Sequence, residues 1–139
     1  MAVNADDAEA IRQLLARYNY AIDLGDPEGW AACFTPDGAF ECIGVPEGSP
    51  FGGRYEGTDK LVAYAKTHYA TAKGHARHWN WNLEIEVDGD TASMRCYLLA
   101  MSVGRGKMPA AGGSGIYRDR LRRTDGRWRF EERVVTMDT

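Results

Sequence analysis

No apolar run in this chain of 139 residues approaches the ~20 needed to cross a bilayer, so no membrane helix is expected. Cysteine is scarce: Cys33, Cys42 and Cys96 are an odd number without CxxC spacing. That excludes a disulfide scaffold and favours reduced thiols in a cytoplasmic protein. The opening Met-Ala-Val-Asn-Ala-Asp-Asp has no basic or apolar segment, so no secretory signal is expected. Histidine is limited to His68, His75 and His78. No His, Cys, Asp and Glu set has metal-ligand spacing, and no metal is expected. GxGxxG, phosphate loops and GxSxG are missing, so no cofactor is expected either. A net charge of −3 disfavours nucleic acid as a partner.

What remains is the composition of one compact domain, 44% hydrophobic and 27% charged. Acids outnumber bases in residues 1–70, and the balance reverses in residues 71–139. The basic half is rich in Arg118, Arg120, Arg122, Arg123, Arg127, Arg129 and Arg133. Alternation along a strand makes these a solvated sheet face rather than an anion site.

Asp6 to Leu24 reads as an amphipathic helix. Asp6 and Glu9 fit a capping box, Ile11, Leu14, Leu15, Tyr18 and Ile22 form one stripe, and Gly25 ends it. Asp26-Pro27 starts a short second helix carrying Trp30 and Phe34, closed by a turn at Thr35-Pro36-Asp37-Gly38. Ala39 to Ile43 is a short strand. A Gly/Pro loop follows, and a third helix runs from Thr58 to about Lys73. Asp88-Gly89 joins strands 77–87 and 91–103, and Asp125-Gly126 joins strands 115–123 and 127–137. Residues 104–114 read as a mobile loop. Three helices followed by an antiparallel meander give an α+β domain, its helices covering one face of a curled sheet.

Several motifs occur in order: Tyr18-x4-Asp23-x-Gly25-Asp26-x3-Trp30-x3-Phe34-x2-Asp37-Gly38, Gly53-Arg54-Tyr55-Glu56-Gly57, Arg77-His78 with Asn82, Val87-Asp88-Gly89-Asp90-x-Ala92, Tyr117-x-Asp119 and Asp125-Gly126-x-Trp128-x-Phe130. Over essentially the whole chain this resembles the SnoaL-like branch of the NTF2-like superfamily. The resemblance implies a cone of three N-terminal helices on a strongly curved, mainly antiparallel sheet, with a pocket at its open end. It also implies a homodimer through the convex sheet face.

The same resemblance sorts the chemistry. The ketosteroid-isomerase type has a carboxylate eight residues after Phe34, where this chain has Cys42, with Glu41 one place away. The scytalone-dehydratase and lindane-dehydrochlorinase type has an Asp late in the first helix and a His opening the first long strand. Asp23 and His78 match those positions. The second pocket histidine that scytalone dehydratase carries on the following strand has no counterpart there.

A neutral histidine oriented by a carboxylate suits proton abstraction beside a leaving group. Asp23 and His78 are therefore the candidate catalytic pair. Tyr18, Tyr20, Asn80, Tyr97 and Trp30 are candidate substrate-binding residues, the tyrosine hydroxyls to polarise an oxygen and the rings to stack. His68 reads as a packed or exposed helix residue, and His75 as a strand-edge one. Strict alternation would place His78, Asn80, Asn82, Glu84 and Glu86 on one face and Trp79, Trp81, Leu83, Ile85 and Val87 on the other. By itself that turns His78 outward. The resemblance offers the converse, with the apolar set as the dimer face. The function implied is a cofactor-independent lyase, isomerase or cyclase acting on a small apolar ring-containing ligand of polyketide, steroid or aromatic type. The alternatives are a non-catalytic binding or accessory protein, or the small subunit of a ring-hydroxylating oxygenase.

Overall fold

The structure, a computed structural model, describes residues 3–139. Helix α1 spans Ala5–Leu24. Its cap is Asn4, whose Oδ1 accepts from the Asp6 and Asp7 amides at 2.7 and 3.4 Å. The expected cap, Asp6, lies two residues further on in the first turn, where its charge still favours the helix N-terminus. The stripe Ile11, Leu14, Leu15, Tyr18 and Ile22 is buried as its spacing predicts. Each such side chain contributes roughly 1.5–3 kcal/mol by leaving water. Gly25 ends α1 at φ +81°, and the Tyr69 ring lies 3.0 Å from where a Cβ would stand. Both the left-handed backbone and the close ring demand glycine there.

Helix α2, Pro27–Ala31, is capped by Asp26, whose Oδ1 accepts from the Gly29 amide at 2.9 Å. Strand β1 is Phe34–Ile43, β2 is Gly53–Glu56 and helix α3 is Thr58–Ala72. Strands β3 (Ala76–Asp88), β4 (Thr91–Ser102), β5 (Ala110–Thr124) and β6 (Arg127–Met137) complete the chain. The sheet order is β2-β1-β6-β5-β4-β3, antiparallel throughout except for the parallel β1–β6 pair. Helices and sheet enclose one core, with Trp30, Leu61, Leu121 and Phe130 at its centre. No helix is long and apolar enough to cross a membrane among the described residues.

Two boundaries differ from expectation. The Thr35–Gly38 segment is an irregularity inside β1 rather than a turn before it, because Phe34 already pairs with Phe130. The expected loop at 104–114 shrinks to residues 103–109, since Ala110 to Ser114 pair with Ser102 to Leu99. Small residues there satisfy a backbone ladder without needing to fill a core.

The largest departure lies in β3. Trp81 pairs with Tyr97 and Glu84 with Arg95, so two residues of β3 oppose one of β4, and Asn82 takes φ +58°. This bulge reverses the facing of the strand. Before it, His78 and Asn80 point inward; after it, Leu83, Ile85 and Val87 pack against the core. The single apolar stripe expected for the dimer face is thus split. Only Trp79 and Trp81, 49% and 48% exposed, remain outside. Arg133 also departs from expectation. Arg118, Arg120 and Arg122 are solvated, but Arg133 is 0% exposed and belongs to the core.

Candidate active site

The last turn of α1 brings Asp23 against β3, although its position lies off the apolar stripe. The Asp23 carboxylate receives two bonds from one residue: His78 Nδ1 to Oδ1 at 2.5 Å and the His78 amide to Oδ2 at 3.0 Å. Both side chains are largely buried. An ionised carboxylate only accepts, so Nδ1 carries the proton and Nε2 presents a lone pair.

His78 lines a cavity of about 440 Å³ at the open end of the cone. Phe40, Val45, Phe51, Leu98, Ala100 and Val135 make much of its wall apolar. Gly112 and Gly113 of β5 line it too, and their lack of side chains keeps that wall set back. Arg105, the only Arg, Lys, Asp or Glu on the wall among the described residues, holds Ser102 Oγ through Nε at 3.1 Å.

All three histidines of the chain reach this cavity. His68 continues the buried stripe Leu61, Tyr64 and Ala65 of α3, packed edge-on to Phe51 and with its ring centre 5.2 Å from that of His78. Burial, aided by the neighbouring His78, pushes its pKa down to about 4. His75 Nδ1 meets the Val103 carbonyl at 2.8 Å and ties the cavity mouth together. The three-to-four spacing of Leu61, Tyr64, Ala65 and His68 was the signal available for His68. For His75 the sequence offered none.

The other candidate residues lie elsewhere. Tyr18 is sealed in the core against Trp30, Phe34 and Phe130, with the Arg133 guanidinium 4.3 Å from its ring centre. Tyr20 is 69% exposed, in a groove outside the cone shared with Arg17 and Arg129. Helical rotation separates the two, since residues two apart differ by about 200°. Trp30 is fully buried, stacked on Tyr64 at 5.5 Å between ring centres. Tyr97 stands on the outer face, 51% exposed, opposite Trp81. Asn80 faces inward but ties α1 to the sheet. It accepts from Asn19 Nδ2 at 2.7 Å and donates to the Tyr97 carbonyl at 3.0 Å. None of these five lines the cavity. Among the described residues no group of three His, Cys, Asp or Glu side chains is placed to hold a metal ion.

The model of the SnoaL-like domain family matches residues 3–134. Among solved structures, a Mycobacterium tuberculosis protein of unknown function is 34% identical. Its match covers 97% of this chain and 78% of that one, at a TM-score of 0.80. An NTF2-like protein with a cystatin-like fold from Novosphingobium aromaticivorans is 27% identical, covering 95% and 82% at a TM-score of 0.81. ActVI-ORFA from Streptomyces coelicolor shares the fold at a TM-score of 0.83, with 22% identity over 97% of both chains. Among curated proteins the sequence has no match. The α+β architecture is thus the NTF2-like cone.

Proposed function

Because the chain belongs to the SnoaL-like family, we propose that it is a cofactor-independent lyase, isomerase or cyclase acting on a small, largely apolar, ring-containing molecule. The observation that carries this reading is the two-pronged grip of Asp23 on His78 at the wall of an apolar cavity. A base must keep its lone pair free and its ring still, and both conditions are met when the other nitrogen is bonded to a fixed carboxylate. His78 Nε2 takes the proton, and Asp23 stabilises the imidazolium that forms. Low polarity around them strengthens that attraction. A cavity of about 440 Å³ suits a ligand of a few rings, within the range of small-molecule sites.

The test starts with ring-containing metabolites screened for a rise in Tm, since a ligand of the folded form stabilises it. Turnover of the hits is then followed in the wild type, His78→Ala and Asp23→Asn. Losses of about 100- to 10,000-fold with binding retained support the reading. Turnover that survives His78→Ala overturns it, and binding without any turnover leaves a ligand-carrying protein. The same reading includes a homodimer through the outer sheet face, where Trp79, Trp81 and Tyr97 are half-exposed neighbours. Sedimentation of the Trp79→Glu/Trp81→Glu double variant tests it, with a monomer as the expected outcome.

A further inference from the structure

The reaction assigned to His78 needs a second group, one that receives the negative charge developing on the substrate. Tyrosine hydroxyls were the sequence candidates, but Tyr18 is sealed in the core and Tyr20 lies outside the cone. Of the tyrosines on the cavity wall, Tyr64 already donates its hydroxyl to the Phe51 carbonyl at 3.1 Å. Tyr117 lies flat over the Arg133 guanidinium, 3.6 Å from its ring centre.

His68 is different. Its Nδ1 is enclosed without any hydrogen-bond partner, which leaves Nε2 as the nitrogen with access to the cavity. A buried N–H without an acceptor is rarer and costlier than a buried lone pair without a donor. The proton therefore belongs on Nε2. His78 has the opposite arrangement, its proton held on Nδ1 by Asp23. Two imidazoles 5.2 Å apart thus offer the cavity one lone pair and one N–H. Removing a proton from the carbon next to a carbonyl calls for that combination.

We propose that His68 is the hydrogen-bond donor to the substrate's carbonyl oxygen, and hence that the substrate is a ketone or related carbonyl compound with an acidic α-hydrogen. The inference rests on His78 being the base. His78 Nε2 takes the α-proton, the C–H pair becomes the enolate double bond, and the carbonyl π pair moves to oxygen, where His68 Nε2–H holds it. The proton then returns to carbon, giving isomerisation or exchange. Alternatively the enolate pair expels a β-oxygen, which leaves with the proton from His78 as water or alcohol. His68 loses no proton at any stage. It remains neutral because burial and the adjacent His78 keep its pKa near 4, so it acts by hydrogen bonding alone.

The experiment uses a panel of cyclic ketones, 2-indanone and 2-tetralone among them, screened for a rise in Tm. Deuterium uptake at their α-carbons is followed by NMR in heavy water. Wild type should exchange a bound ketone well above the buffer rate, and His78→Ala should not. His68→Phe should slow exchange about 100- to 1000-fold while the ketone still raises its Tm. His68→Gln, which restores an N–H, should recover at least part of that loss. Exchange at the wild-type rate in His68→Phe overturns the inference and leaves His78 as the base. A bound ketone that wild type does not exchange overturns both. A panel in which no ketone raises the Tm overturns the carbonyl class. Independently of any variant folding, histidine 15N shifts of the wild type should show His68 protonated on Nε2; a proton on Nδ1 overturns the assignment.

Discussion

Among the described residues two acid–base pairs are buried, both on the helix-covered face of the sheet, and their surroundings differ completely. At the cavity wall Asp23 accepts two well-formed hydrogen bonds from His78, and the far nitrogen of the imidazole looks into open space. In the core Asp119 meets Arg133 at 3.1 Å with both side chains at zero exposure. Neither Asp119 oxygen nor Arg133 Nε makes a well-aligned bond there. The guanidinium is instead enclosed by the rings of Tyr18, Tyr117 and Phe130. Burial pushes the Asp119 carboxyl up to about 7 even though Arg133 pulls it back. Burial and pairing of charges are therefore common to both. What sets the cavity pair apart is one ring nitrogen left facing open space.

The sealed pair should be the more fragile under mutation. Arg133→Met, which strands Asp119 in the core, is expected to cost about 3–5 kcal/mol in urea unfolding, enough to unfold a marginal domain. The double variant Arg133→Met/Asp119→Leu should regain most of that, because an apolar pair of similar volume replaces the charges. Additive losses instead would mean that the aromatic enclosure itself depends on the cation. At the cavity, His78→Ala should cost less, about 1–3 kcal/mol, since Asp23 keeps the backbone amide of residue 78.

The pH dependence sharpens the contrast. His68, with a pKa lowered to about 4, binds fewer protons folded than unfolded between about pH 4 and 6.5, so its contribution is lost as pH falls through that window. Asp119, raised to about 7, binds more protons folded than unfolded from about pH 4 to 7, so its penalty grows as pH rises. The two oppose each other over nearly the same range. Replacing His68 with Phe should gain up to about 3 kcal/mol at pH 4 relative to pH 7 against the wild type, measured by urea titrations at both values. A parallel profile would mean that His68 is solvated in the folded protein. The smallest effect belongs to the outside: Tyr20→Ser and Tyr97→Ser should leave the Tm shift caused by a cavity ligand unchanged, within about 1 °C by the usual insensitivity of surface sites.

Elements set by local chemistry were legible in the sequence. The periodic stripe of α1, the Asp26 cap with Pro27, and the Asp88-Gly89 and Asp125-Gly126 turns each depend on residues a few positions apart. The Asp23–His78 contact was readable only through the resemblance, because strict alternation along β3 turned His78 outward. What defeated alternation was one extra residue at Trp81–Glu84, whose backbone signal, a non-glycine at positive φ, has no compositional mark beyond Asn82 itself. Tyr18, Tyr20, Trp30, Tyr97 and Asn80 have the chemistry of binding residues, but residue type alone does not say which wall each occupies. Arg133 hid among solvated arginines because the rings that enclose it come from three separate elements.

The bulge at Asn82 gives this domain a built-in sorting point. Upstream of it, changing odd positions repaints the exterior and changing even ones alters the interior; downstream the rule inverts. Excising Asn82 would let Leu83 pair with Cys96 and give an unbroken ladder, with the indoles of Trp79 and Trp81 still outdoors and the imidazole of His78 still indoors. The pairing with β4, not a count by twos along the sequence, is thus what decides which side of the wall each β3 residue furnishes.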